Sequence, residues 1–321
     1  MISIQLIHEA AARISGAIRK TPVEECPILS DLLGVPVWLK LENEQITGSF
    51  KARGALFSLL KAKDSGIQRV ATCSAGNHGK GMAWAARQLG MQATIFVPSS
   101  VDPTKLDGMI RMGADVHTSR FPGYDETEHW AKHESSRLGL PFISAFDDDW
   151  VMAANGGTVA KEVLEQIPDL ETLVLPVGGG GLSGGASYLV KELKPDCRII
   201  LCQHQGSPAF QKSMEAGEAI LEMPAIETVA GGLEGGIGRL TFEVLKTRYD
   251  AIELLNEEEI QRAMAWTIKN HQMIIEGSAA VVVAACLRSE FRKPKGPTVL
   301  VLSGRNVAAS TIAHVLHGNR L

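Results

Sequence analysis

The residues best suited to chemistry lie in ENEQITGSFKARGA, residues 42–55, where Lys51 follows Thr47-Gly48-Ser49-Phe50 at the start of a helical pattern. An exposed helix lysine needs none of these neighbours. An amine withdrawn from water is a different reagent. Burial lowers its pKa, and the neutral form is both a base and a nucleophile toward an aldehyde. Gly48 allows close approach of the backbone, and Phe50 offers a flat ring to cover one face of a planar ligand.

Three further loops carry polar or glycine-rich chemistry. PVGGGGLSGGA (176–186) follows an apolar run and opens a helix. Glycines let backbone N–H groups close on an anion, and the helix N-terminus adds its positive end, so phosphate is the natural guest. A plain turn would not spend four successive glycines, which cost backbone entropy. The loop matches neither a GxxxxGK[ST] P-loop nor a clean GxGxxG, and no acidic residue closes a following strand at the dinucleotide distance. In SAGNHG (74–79) Asn77 stands at a helix start, either as a cap or as a donor to a ligand oxygen. His78 alone reads as a packing residue. Ser303, in SGRN (303–306), ends the last apolar run, as a helix cap or as a neutral partner for a ring nitrogen.

The elements that position these loops follow from periodicity. Strands are expected at 36–42, 69–74, 92–98, 114–119, 172–177, 197–203 and 298–303. Helices are expected at 51–64, 77–90, 104–113, 124–139, 151–167, 182–194, 256–271, 277–289 and 306–317. This alternation implies βαβ units and mostly parallel sheets, whose ligands bind at the carboxyl ends of strands. The three loops fall at that level, which suggests one cleft.

Composition narrows the class. The 321 residues are 45% hydrophobic and 21% charged, with net charge −4, so nothing draws the chain to nucleic acid or an anionic membrane. The cluster Arg292-Lys293-Pro294-Lys295 reads as a solvated loop. Five cysteines without a CxxC pair fit free thiols in a reducing compartment rather than a disulfide scaffold or zinc site. The N-terminal stretch reads as an amphipathic helix, not a signal peptide, and no apolar run reaches membrane-spanning length. A cytoplasmic protein is expected.

ITGSFKARGA, SAGNHG, GGGGLSGG and SGRN, in this order, resemble the fold-type II pyridoxal 5′-phosphate (PLP) enzymes, and within them the threonine/serine dehydratases, over nearly the whole chain. The resemblance implies an α/β fold like that of tryptophan synthase β. The cofactor would lie between two parallel-sheet domains, a large one of residues 1–46 plus 151–321 and a small one of 47–150 that closes over it. It implies a homodimer that converts L-threonine and L-serine to a 2-oxo acid and ammonia. Lys51 would hold PLP through its amine and, once freed by substrate, remove the α-proton. Phe50 would lie against the cofactor and Asn77 would bond the ring 3′-oxygen. Gly178, Gly179, Gly180, Gly181 and Leu182 would cradle the phosphate, and Ser303 would face the pyridine nitrogen. Ser49 would line the substrate side, and Ser74, Ala75, Gly76, Asn77 and His78 would hold the substrate carboxylate. AGGLEGGIG (230–238) and Glu276-Gly277-Ser278 would complete the pocket wall.

The departures from the family pattern are specific. Related racemases carry a second serine, used as the opposite-face base, where this chain has Ala75, so an L-specific dehydratase is expected. Relatives that bind a divalent metal carry Glu and Asp after the strand equivalent to 197–203. This chain reads Gln203-His204-Gln205-Gly206-Ser207-Pro208-Ala209, and no metal is expected. SGRN replaces the usual SGGN, and Arg305 opens the alternative of a specialised 3-hydroxy amino acid, such as a hydroxyectoine-derived one or 3-hydroxyaspartate. The isoleucine-binding domain of biosynthetic relatives has no length left for it, so isoleucine feedback is not expected. A non-catalytic phosphate-ligand binding protein is the alternative outside enzymes.

Overall fold

The computed structural model describes residues 1–101, 103–291 and 294–318, and Arg292 and Lys293 of the basic cluster lie outside them. The strands are β1 (Val23–Glu25), β2 (Val37–Lys40), β3 (Arg69–Cys73), β4 (Gln92–Val97), β5 (Asp115–Thr118), β6 (Thr172–Pro176), β7 (Arg198–His204), β8 (Ala251–Leu255) and β9 (Thr298–Val301). The helices up to the glycine loop are α1 (Ile4–Ile14), α2 (Pro27–Leu33), α3 (Lys51–Asp64), α4 (Asn77–Leu89), α5 (Pro103–Arg111), α6 (Tyr124–Arg137), α7 (Asp149–Met152) and α8 (Thr158–Gln166). Beyond it come α9 (Gly181–Leu193), α10 (Ala209–Ala216), α11 (Arg239–Leu245), α12 (Glu257–His271), α13 (Gly277–Leu287) and α14 (Ala309–Gly318). Among the described residues no helix is long and apolar enough to cross a membrane.

The strands form two sheets, ordered β1-β2-β9-β6-β7-β8 and β3-β4-β5. All pairings are parallel except β1 with β2. Successive side chains of a strand face opposite sides, and both sides of the large sheet are covered. Val174, Ile200, Cys202 and Leu300 pack toward Leu29 of α2, Met264 of α12 and Val281 of α13. Their neighbours Leu173, Leu175, Ile199, Leu201 and Val299 pack toward Ile7 of α1, Val159 of α8 and Leu189 of α9. In the smaller sheet Val70, Ile95 and Val97 meet Leu56, Met82 and Met109 of α3, α4 and α5, while Phe96 stacks edge-on against Trp130 of α6.

The periodicity did not disclose β1, whose VEE sequence sits at a sheet edge with both glutamates exposed. It also missed β8, at the other edge and interrupted by Glu253, and the short helices α2, α10 and α11. The single helix expected at 151–167 is split by a π-turn, Ala153–Gly157, between α7 and α8. The cause is a backbone crossing. A Cβ on Gly156 would lie 2.0 Å from the Leu182 carbonyl, and one on Gly185 2.1 Å from the Met152 carbonyl. The five cysteines are buried free thiols.

A buried charge cluster anchors α3, the helix that begins with Lys51. Arg53 is fully buried and bonds Glu42 at 2.7 and 2.8 Å and Glu162 at 2.7 and 3.0 Å. Lys40 completes it, 2.6 Å from Glu162. Burial opposes ionisation of Glu42, and Arg53, Lys40 and Thr21 outweigh that penalty, holding its carboxyl below the ordinary value. Its contribution to stability is therefore present above the ordinary glutamate pKa and is lost as pH falls below it. Replacing Arg53 by leucine strands Glu42 as an unpaired buried charge. The expected loss is about 3–5 kcal/mol by urea unfolding at neutral pH, shrinking in acid as Glu42 takes up a proton.

Candidate functional site

Lys51 is the first residue of α3, entered from β2 through residues 41–50. Gly48 takes φ +78°, a conformation that side chains disfavour, and a Cβ there would meet Asn306 Oδ1 at 2.8 Å. This entry loop is stitched to the loop after β9. Ser49 forms an antiparallel bridge with Gly304, the Phe50 amide donates to Ser303 O (3.1 Å), and the Arg305 amide donates to Gly48 O (2.9 Å). Lys51 is partly buried. Its Nζ donates to Ala145 O at 2.6 Å and stands 5.3 Å from the centre of the Phe50 ring. Burial pulls the amine down to about 8, against an opposing pull from Glu276.

The glycine loop leaves β6 and enters α9 with Gly180 at φ +91°. Contact favours glycine at each of its positions. A Cβ would strike Gly232 O at residue 178, the Phe146 ring at residue 179, and Thr241 at residue 180, at 2.2, 2.4 and 2.7 Å. At residue 181 it would press on Phe146 at 3.0 Å. The amides of Gly179 to Leu182 donate to no group among the described residues, which leaves a set of N–H donors at the N-terminus of a 13-residue helix. Gly184 and Gly185 serve otherwise, packing on Met152 and the π-turn. Thr241 Oγ1 donates to Gly179 O (2.7 Å) and holds the loop's shape.

Asn77 opens α4, and its Nδ2 donates to Glu276 Oε1 at 2.6 Å. Asn306 joins the same group, with Nδ2 donating to Asn77 Oδ1 (2.6 Å) and Thr47 O (2.9 Å) and its amide to Glu276 Oε2 (3.1 Å). Burial raises Glu276 to about 7, only partly offset by the Asn77 bond. Ser74 Oγ accepts from the Gly76 amide (3.1 Å) and shapes the loop at the start of α4. His78 is buried. The Thr72 hydroxyl donates to Ile143 O, so the ring's Nε2 must donate to Thr72 Oγ1 (3.0 Å), and its Nδ1 is left as an acceptor. Burial, and then Lys51, keep the ring neutral. A side chain of this kind offers no proton to a carboxylate, and any such contribution rests on the backbone amides of the turn.

The structure thus brings the four motifs together, through Lys51, the glycine loop, Asn77 and Ser303. The model for the family described as "Pyridoxal-phosphate dependent enzyme" matches residues 14–304. The chain belongs to the pyridoxal-phosphate-dependent enzymes. It is 36% identical to the L-threonine ammonia-lyase of Geobacter sulfurreducens, over 98% of this chain and 78% of that one. Its fold matches the crystal structure of serine racemase from Dictyostelium discoideum with TM-score 0.88 and 32% identity, covering 96% of this chain and 99% of that one. It matches the structure of the processed form of threonine deaminase isoform 2 from Solanum lycopersicum with TM-score 0.88 and 29% identity, covering 98% and 87%. The fold is therefore that of fold-type II PLP enzymes, and the cofactor of the family is PLP.

The residues present fit that cofactor. The glycine cradle and its unspent amides suit a phosphate. Lys51 suits an aldehyde. Thr47 Oγ1, Ser49 Oγ and His78 Nδ1 are buried polar atoms near Lys51 without a partner, as expected of groups awaiting a polar ligand. In this PLP-dependent chain Arg305 does not start a helix, since α14 begins at Ala309, and its guanidinium pairs with Glu44 at 2.6 Å. Gln203 accepts from the Gln211 amide (3.1 Å) and supplies no carboxylate. Sequence reasoning missed Ala145, Phe146 and Asp147. Ala145 meets Lys51, Phe146 lies under the glycine loop, and Asp147 accepts the Leu240 amide of α11 (2.8 Å). The available signal was ISAFDDD, a polar run just after an apolar one. Lys80 and Asn306 were also missed, because their roles depend on contacts across more than 200 positions.

Proposed function

We propose that this chain is an ammonia-lyase that eliminates water from L-threonine, and from L-serine, to leave an enamine that takes up water again to give a 2-oxo acid and ammonia. What supports the reading is the Lys51 amine, drawn down to about 8 and bonded to Ala145 O, next to the Phe146 on which the glycine loop packs. Bound PLP supplies the electron sink that stabilises charge at the α-carbon. Lys51 carries the cofactor and acts as the base at the α-proton. Gly178 to Leu182 hold its phosphate, Phe50 covers one face, Asn77 donates to the ring 3′-oxygen, and Ser303 meets the pyridine nitrogen without charging it. Ser49 lines the substrate side, and the turn Ser74-Ala75-Gly76-Asn77-His78 takes the substrate carboxylate with its backbone amides. Residues 1–46 plus 151–321 and residues 47–150 act as the large and small domains. A homodimer in the cytoplasm is part of the same reading.

Two features bear on substrate. Ala75 has no group to carry a proton to the opposite face, which supports elimination from the L-isomer over racemisation. The Arg305 charge, the reason to consider an acidic or modified substrate, is met by Glu44 within the protein. The deciding experiment is 2-oxo acid release by the yellow protein from L-threonine, L-serine and D-threonine. Product from the L-isomers alone is expected. A yellow protein inert toward all three would overturn the substrate, and a colourless one the cofactor.

A further inference from the structure

We propose that Lys80 is a positioning residue that supplies the cationic end of the hydrogen-bond chain orienting Asn77, a role that rests on the PLP reading above. Lys80 lies three residues after Asn77 on α4, one turn further along the same face. Its Nζ donates to Asn306 Oδ1 at 2.7 Å. An ammonium has only donors, so the oxygen of Asn306 must face it and the nitrogen must face away. That nitrogen donates to Asn77 Oδ1, which turns the Asn77 nitrogen toward Glu276 Oε1. A carboxylate only accepts, so it closes the chain at the other end. The two amides are therefore held in one sense between a cation and an anion, and the Thr47 carbonyl, which also only accepts, holds the Asn306 nitrogen in the same sense (2.9 Å).

Bonds aligned in this way polarise one another. The second hydrogen on Asn77 Nδ2 is not needed by Glu276 and becomes the donor for the cofactor's ring oxygen. Were Lys80 apolar, Asn306 Oδ1 would lose its donor and the chain its charged end, and Thr47 O would be left to hold Asn306 in its orientation. The charged groups acting on this chain are Lys80 from α4, Lys105 from α5 and Lys51 from α3, with Arg305 beside Lys80 and paired to Glu44. Lys80, Lys105 and Lys51 are cations that favour ionised Glu276 against its burial. Loss of one shifts Glu276 toward its protonated form, in which it can no longer simply accept.

The test is equilibrium binding of PLP, read by absorbance across neutral pH, for the native chain, Lys80→Met and Lys80→Arg. Lys80→Met is expected to bind PLP about tenfold more weakly at neutral pH and to shift the pH dependence of the bound absorbance upward. Lys80→Arg, also a donor-only cation, is expected to restore both. Thermal unfolding of each variant shows whether the fold is kept. Unchanged affinity and pH dependence in Lys80→Met would sink the role, and so would an arginine variant as impaired as methionine. If the native chain itself takes up no PLP, the cofactor reading falls and this role with it. If the native chain binds and Lys80→Met binds equally, only the role of Lys80 falls.

Discussion

Lys51→Ala is expected to release 2-oxobutyrate from L-threonine at least about a thousand-fold more slowly than the native chain, and to lose the yellow colour that PLP confers. The side chain makes one hydrogen bond, to Ala145 O, so its removal leaves the fold intact. Burial already disfavours its charge, so with the cofactor removed from both chains the unfolding temperature should stay level or rise. Lys51→Arg should fail as well, because a guanidinium stays protonated and cannot serve as base or nucleophile. The pair of variants separates the need for a cation from the need for an amine. Full turnover by Lys51→Ala would remove the basis of the proposed reaction.

Gly185→Ala is expected to cost more stability than any surface change in the chain. The added methyl would sit 2.1 Å from Met152 O, 2.7 Å from the Gly157 nitrogen and 3.0 Å from the Gly156 Cα. All three are backbone atoms, so no rotamer change relieves the overlap, and α9 must move away from the π-turn. A loss of about 4 kcal/mol or more follows, seen as a fall in Tm on the order of 10 °C by calorimetry. Gly108→Ala is the control. It lies within α5 with open space around it, and the change should be neutral or stabilising by up to about 1 kcal/mol. Because α9 presents the glycine cradle at its N-terminus, Gly185→Ala should weaken PLP binding too. A variant with native Tm would mean that the crossing tolerates a wider spacing than the packing shows.

By itself the sequence determined the parts of this protein that depend on neighbouring residues. Lys51 begins α3 and Asn77 begins α4 where periodicity placed them, and the glycine loop joins β6 to α9, because apolar period and glycine content act locally. The order of the four motifs pointed to the family for the same reason, since each motif is a short run. Tertiary structure decided the rest. It packed Gly178 to Gly181 against Gly232, Phe146 and Thr241, and Gly185 against a helix crossing, although all lie in one glycine-rich run. It gave Lys51 a partner in Ala145, 94 positions away, and Asn77 a partner in Glu276, 199 positions away. It turned Arg305 toward Glu44 and His78 toward Thr72. The physical reason is common to these cases. The composition of a segment sets its backbone conformation, whereas the pKa and orientation of a side chain are set by whatever other segments the fold packs against it.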